Sequence, residues 1–384
     1  RLICEIKPSE INKSRGIGIA EKVVKAVNGL NAKEMIIYIS FDYDILKRII
    51  ALDPQANTQY LEGDKSPDQL KSDGIKGADN HYSVYAEHPD WILSARKNNL
   101  ALNAWTVDDA NQMDWLLANG FDFITTNEPE LLMERAKLSP VSKGWKLAWS
   151  DEFNYNGLPD STKWDYEVGG HGWGNNELQF YTKRDTLNAL AKNGCLNIIA
   201  RKQPKEEKQY TSVRLVTRGR AEFTYGKFEM RAKLPAGKGT WPAFWMLGTN
   251  IEKEGWPKCG EIDIMEHVGY EKDSIFGTIH SESNNHMKGT QKGKAIFIEN
   301  PYNSFHVYSM EWTPEKIDFM VDNKIFNHIE NEHKTINEWP FDQPFFIILN
   351  LAVGGNWGGK YGVDDLVFPA KYEVDYVRVY DTGF

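Results

Sequence analysis

Cysteine is scarce in this chain. Its 384 residues contain three, Cys4, Cys195 and Cys259, too few and too scattered for a disulfide framework or a zinc site, which leaves room for one pair at most. Long apolar runs are missing too: none approaches the ~18 residues of a membrane span. Positive charge is outweighed, with 45 Lys and Arg against 54 Asp and Glu and a net charge of -9. That balance argues against a nucleic-acid binder, which would show a basic face. No histidine precedes His81. There is no initiator Met and no signal peptide; "RLICEIK" reads as the middle of a strand, so the chain is expected to be a fragment or a processed product. Internal repeats and low-complexity tracts are absent. What is abundant is tryptophan, and ten of the thirteen lie at or after Trp145. Indole faces suit the C–H surfaces of sugar rings, although large β-proteins also bury Trp for packing alone.

The length exceeds what one core usually supports, so two domains are expected, and the texture changes where they would meet. Residues 1–138 alternate short apolar runs with amphipathic stretches: "RLICEIK" (1–7), "EMIIYISF" (34–41), "TQYLEG" (58–63), "GIKGAD" (74–79), "LALNAWTV" (100–107) and "FDFITTN" (121–127) read as six buried strands. Strand, helix, strand in repetition predicts a parallel α/β fold. Residues 139–144, within "LSPVSKG", read as a linker. From 145 to 384 many strands are separated by turn signals, with a hairpin turn at "VDNK". This half is predicted to be an all-β sandwich, a jelly roll.

The stretch "CGEIDIMEHVG", 259–269, carries the chemistry. Glu261, Ile262, Asp263 and Ile264 alternate acidic and apolar, as a strand with one wet face would. The next acid falls at 266, not 265. A β-bulge, one extra residue, would restore the parity and turn Glu261, Asp263 and Glu266 to one face, with Met265 as the inserted residue. Retaining cleavage of a glycosidic bond needs two carboxyls about 5–5.5 Å apart, one attacking the anomeric carbon and one donating a proton. Strand residues two apart lie ~6.6–7 Å apart at Cα and face the same way. Crowded carboxyls repel, so at least one pKa should rise, as a general acid requires. Glu261 is the expected nucleophile, Glu266 the acid/base, and Asp263 the group that sets the charge of Glu261.

A bare acidic strand face is often only solvated surface. The neighbouring sequence favours a site: Trp241 and Trp245 in "GTWPAFWMLG", Trp173, Asn175, Asn176 and Glu177 in "HGWGNNELQFYT", His280 in "FGTIHSE", and Asn350 and Trp357 in "NLAVGGNWGG". A Trp-lined cleft with central carboxyls fits a polysaccharide.

Through these motifs, together with "WSDEFN", "YGKFEMRAKLP" and "VDYVRVYD", residues 145–384 resemble glycoside hydrolase family 16, the laminarinase and lichenase family. The resemblance implies the same three roles for Glu261, Asp263 and Glu266. It implies Trp241, Trp245 and Arg220 on the donor side of the cleft, and His280 near the acid/base. His267 should face away and pack. The extra residue at 265 resembles the laminarinase-like branch, which implies β-1,3-glucan or mixed β-1,3/1,4-glucan as substrate. It implies no cofactor for catalysis, but a structural calcium held by Asp375 and by the backbone carbonyls of Glu152 and Gly194.

Residues 1–138 are similar to the glycerophosphodiester phosphodiesterases, which are TIM barrels, through "CEIK", "ISFDYDIL" and "LNAWTVDDANQMDWLLANGFDFITTNEP". The resemblance implies a metal ligand at Glu5, phosphate contact at Lys7 and a pocket closed by Trp105, at the strand ends where such sites belong. The family's catalytic histidines would precede the "EIK" strand. Six strands of eight therefore imply a partial barrel without phosphodiesterase activity, and one less stable than the sandwich. Other readings are a glycan-binding module without catalysis, phosphodiester cleavage as the main activity of a longer gene product, and cleavage of agar or another galactan. No cluster of Arg or Lys lies beside the cleft motifs, which favours a neutral glucan over a sulfated galactan. A polysaccharide substrate implies work in the periplasm, at the cell surface or outside the cell. Oligomeric state leaves no mark in the sequence.

Overall fold

The computed structural model describes residues 1–9 and 12–382. They form two units, Arg1–Lys146 and Leu147–Phe384.

In the first unit six strands lie side by side, β1 (Leu2–Glu5), β2 (Ile36–Ser40), β3 (Asn57–Tyr60), β4 (Gly77–His81), β5 (Ala101–Trp105) and β6 (Phe123–Ile124). Every neighbouring pair is parallel, in sequence order, as the alternating pattern predicts. Helices return the chain between them. Asp42 and Asp109 accept hydrogen bonds from first-turn amides and so start the helices Tyr43–Leu52 and Ala110–Ala118. Those helices bury Ile45, Leu46 and Ile49, and Met113 and Leu116, against the sheet. The arrangement is a parallel six-stranded half-barrel. Its interior is unusually polar: Gln59, Asp79 and Asn103 are buried on adjacent strands, and Asn103 Nδ2 lies 3.4 Å from Gln59 Oε1. The segment read as a linker contains a short 3-10 turn, Pro140–Lys143, closed by Gly144 at φ 89°.

The second unit is a sandwich. Its strands are β7 (Lys146–Asp151), β8 (Asp165–Tyr166), β9 (Gln179–Tyr181), β10 (Ala189–Lys192), β11 (Cys195–Lys205), β12 (Lys208–Ser212), β13 (Arg214–Val216), β14 (Gly226–Lys233) and β15 (Thr240–Gly248). They continue with β16 (Glu261–Glu266), β17 (Ser274–His280), β18 (Lys292–Phe297), β19 (His306–Trp312), β20 (Lys316–Val321), β21 (Lys324–Glu330), β22 (Phe345–Val353) and β23 (Ala370–Asp381). One sheet runs β21-β20-β19-β14-β23-β11-β12-β9, with β10 on β11 and β7 on β23; the other runs β18-β17-β16-β15-β22-β13-β8. The "VDNK" hairpin turns on Asp322 and Asn323, both at positive φ (48° and 64°), the turn geometry that Asn and Asp tolerate best.

Alternation sorts the central strands of the second sheet. Phe244 and Met246 of β15, Ile262 of β16, Ile275 and Ile279 of β17, and Ile347, Leu349 and Leu351 of β22 all join the core between the sheets. Their neighbours in sequence therefore face the other way, onto the outer surface of this sheet. Trp241, Trp245, Asp263, His280 and Asn350 belong to that outer set.

Candidate active site

β16 is bulged where the sequence breaks its period. Opposite β15 the ladder pairs Phe244 with Met265 and Trp245 with Asp263, so Ile264 has no partner. Opposite β17 the pairing jumps from Asp263–Thr278 to Glu266–Phe276. By this register the extra residue is Ile264 rather than Met265. Consecutive side chains of a regular strand face opposite ways, yet Ile264 and Met265 both sit in the core. That double step returns Glu266 to the face of Glu261 and Asp263.

The three carboxyls share that face in a poorly solvated setting. Burial pushes each of them up to about 8, and the negative charge of Asp263 adds to the rise at Glu261 and at Glu266. Asp263 is in hydrogen-bond contact with Glu261. Indole donors hold the outer two: Trp256 Nε1 donates to Glu261 Oε2 at 2.9 Å, and Trp241 Nε1 to Glu266 Oε1 at 3.0 Å. The ladder sets His280 directly opposite Glu261. Its Nε2 is 3.2 Å from Asp263 Oδ2 and 3.7 Å from Glu261 Oε1. His280 is thus the companion of the nucleophile pair, and its charge also bears on Glu266, the expected acid/base. Its ring packs against Trp256 and His286 at centroid distances of 6.0 and 5.3 Å. His267 is fully buried, with Nδ1 3.0 Å from Ser274 O, the packing role expected of it.

A chain of hydrogen bonds leads away from the carboxyls. Trp245 Nε1 donates to Asn350 Oδ1 (2.6 Å), Asn350 Nδ2 to the Tyr181 hydroxyl (3.0 Å), and that hydroxyl to Glu177 (3.1 Å). Gln179 donates to the same Glu177 oxygen. Trp357 packs edge-on against Trp241 (5.6 Å) and Phe276 (4.9 Å). Gly358 permits this: a Cβ there would lie 2.8 Å from Trp241 Cβ. Asn176 donates to Asn356 at 2.8 Å, which ties the Gly-rich loop to the loop that carries Trp357.

Arg220 is exposed, its guanidinium 3.7 Å from Asp165. Among the arginines of that stretch it is Arg214 that the fold brings to the indoles. Its guanidinium sits 4.8 Å from the ring of Trp173 and 4.6 Å from that of Trp245, and its Nε donates to Glu167 at 2.6 Å. Sequence reasoning missed Arg214 and also Trp256, which lies in a loop and matches none of the motifs.

Two implied metal sites fare differently from the carboxyl face. Glu5, at the end of β1, is exposed, as is Lys7. Trp105 donates Nε1 to Asp79 O and packs against Phe41. Asp375 Oδ2 accepts from Arg231 Nη1 at 2.6 Å, and the Glu152 carboxylate accepts two bonds from Arg378. Gly194 is a turn residue at φ 74° between β10 and β11. Calcium takes six to eight oxygens at about 2.3–2.6 Å. The Arg231 contact engages one oxygen of Asp375, and the Arg378 bonds fall on the Glu152 side chain, not on the backbone carbonyl that the resemblance implies as a ligand. Among the described residues, Glu261, Asp263 and His280 form a grouping that could hold an ion, with donor atoms within 4.8 Å of one another. All three cysteines are free thiols.

Sandwich, bulged acidic strand and indole-lined face together define a glycoside hydrolase site. The profile of "Glycosyl hydrolases family 16" matches residues 173–378, and the chain belongs to that family. The profile of the "Glycerophosphoryl diester phosphodiesterase family" matches residues 2–131, and that of "Beta-glucan synthesis-associated protein SKN1/KRE6/Sbg1" matches 81–262. A β-glucanase of Rhodothermus marinus is 55% identical over 243 residues, covering 62% of this chain and 85% of the relative. The X-ray structure of the laminarinase from Rhodothermus marinus superimposes with a TM-score of 0.61 at 54% identity, over 62% of this chain and 97% of that one. A non-specific endo-β-1,3(4)-glucanase, co-crystallised with 1,3-β-D-cellotriosyl-glucose, gives 0.60 at 44% identity over 62% and 95%.

Proposed function

We propose that the sandwich unit hydrolyses β-1,3-glucan, or mixed β-1,3/1,4-glucan, from within the chain and with retention of configuration. It is a glycoside hydrolase of the endo-1,3-β-glucanase type. The observation that carries the residue assignment is the bulge in β16, which sets three poorly solvated carboxyls on one face and gives the outer two an indole donor each.

The chemistry follows from that geometry. Glu261, as the carboxylate, attacks the anomeric carbon. The Trp256 N–H and the nearby His280 both favour its charged form. Glu266 keeps a proton near neutral pH because its site resists charge. One of its oxygens is held by Trp241, and the other carries the proton to the departing glycosidic oxygen. In the second step Glu266 takes a proton from water, which cleaves the glycosyl ester. Asp263, hydrogen-bonded to Glu261, shares the proton that would otherwise silence the nucleophile. The indoles of Trp241, Trp245, Trp173 and Trp357 stack the sugar rings, with Asn350 and Asn176 ordering that surface.

Charge supports a neutral polymer. The guanidinium between Trp173 and Trp245 is already paired with Glu167, so it is not free to take a sulfate. A polymer substrate also supports work outside the cytoplasm; fractionation of the producing cells tests this. For the function itself the test is reducing-end release from laminarin, lichenan and agarose. Cleavage of laminarin that vanishes in Glu261→Gln is the expected result. Cleavage of agarose alone would overturn the substrate, and Glu261→Gln activity near the parent's would overturn the nucleophile.

A further inference from the structure

Glu261, Asp263 and His280 form a three-donor cluster on neighbouring strands. One oxygen of Glu261, Oε2, is committed to Trp256, so Oε1 is the one presented to the cluster. Asp263 Oδ2 is buried and accepts no hydrogen bond, although His280 Nε2 stands 3.2 Å away; His280 Nδ1 is likewise buried without a partner. Glu266 lies outside the group.

Two carboxylate oxygens and one imidazole nitrogen suit a borderline divalent ion, not calcium or magnesium, which ask for oxygen alone and more of it. Zinc binds such donors at about 2.0–2.2 Å in a tetrahedron, which spaces ligand atoms by roughly 3.3 Å. The observed separations from Nε2, 3.2 and 3.7 Å, need little movement to reach that. The fourth position would open toward the cleft, where Glu261 retains some exposure.

We propose that Zn²⁺ binds at Glu261, Asp263 and His280 and reversibly switches the hydrolase off. The reason is chemical: an oxygen lone pair given to zinc is not available to the anomeric carbon, and the double displacement uses no metal of its own. The inference rests on the reading in which Glu261 is the nucleophile.

The test uses the full chain, stripped with EDTA and desalted. ZnCl₂ is titrated by calorimetry, with laminarin hydrolysis followed in parallel. One ion per chain is expected at this site, with activity falling as the site fills and returning with EDTA. Laminari-oligosaccharide should weaken the apparent zinc affinity. His280→Phe should lower affinity by about tenfold or more, whereas Glu266→Gln and Glu5→Gln should keep it. Asp263→Asn is the second ligand variant should His280→Phe not fold. No zinc binding, or binding that survives both ligand changes, overturns the inference. Hydrolysis by the stripped protein is read separately: if it persists while zinc fails to bind, only the zinc site falls. If it is absent, the glucanase reading falls with it.

Discussion

Trp241 donates its indole N–H to Glu266 Oε1 at 3.0 Å, from the strand next to the one that carries Glu266. The bond orients the carboxyl and favours its charged form, against the burial that raises it. Replacing Trp241 by Phe removes the donor and keeps an aromatic face. Glu266 should then hold its proton to still higher pH, so the alkaline limb of the kcat/KM profile should move up. A hydrogen bond to a charged group is worth about 1.5–3 kcal/mol, so kcat should fall by about tenfold or more. An alkaline limb that stays in place would show that another group sets it.

Trp256 holds Glu261 in the same way at 2.9 Å. The Trp256→Phe change should raise the nucleophile's pKa and shift the acidic limb upward, with KM little changed. A profile of the same shape as the parent's would remove Trp256 from the mechanism.

The bulge makes a parity claim that deletions test. Without Met265 the strand reads Glu-Ile-Asp-Ile-Glu, a regular alternation that still turns the last acid to the cleft. That variant should retain measurable laminarin cleavage. It loses a fully buried Met, at a cost of roughly 2–5 kcal/mol in unfolding free energy. Removing both Ile264 and Met265 turns the last carboxyl inward and should abolish activity. Equal activity in the two would contradict the parity argument.

What the sequence made legible and what it hid divide along physical lines. The alternation of Glu261–Ile264 and its break at Met265 are local facts, so the shared face of three carboxyls could be read directly; only the unpaired residue moved, from Met265 to Ile264. All six front strands appear where apolar runs alternate with amphipathic ones. Cross-strand register is not local. Nothing in "FGTIHSE" says that His280 stands opposite Glu261 instead of Glu266. Nor does "RLVTRGR" reveal which arginine is caught between two indoles, because that depends on where β13 pairs with β22. Trp256 reaches Glu261 from a loop whose path no period encodes.

In the half-barrel Asp79 is raised to about 7, chiefly by burial and then by Glu5. A carboxyl whose folded pKa exceeds its unfolded value stabilises fully below the unfolded pKa and loses that contribution as pH rises through the folded one. Stability of this unit should therefore drop between about pH 4 and 7, on the order of a few kcal/mol. Asp79→Asn should flatten that slope in urea titrations at several pH values. A wild-type slope of the opposite sign would show that other groups dominate.

The most direct measurement traps the intermediate. In a laminaribiosyl fluoride with fluorine in place of the C2 hydroxyl, the C2 fluorine slows both displacements while the fluoride leaving group keeps the first faster than the second, so a glycosyl-enzyme accumulates and can be digested and mapped by mass spectrometry. The expected adduct is one glycosyl group on Glu261, absent in Glu261→Gln. An adduct on Asp263 or Glu266, or turnover with inversion and no adduct, would contradict the assignment of Glu261 as the nucleophile.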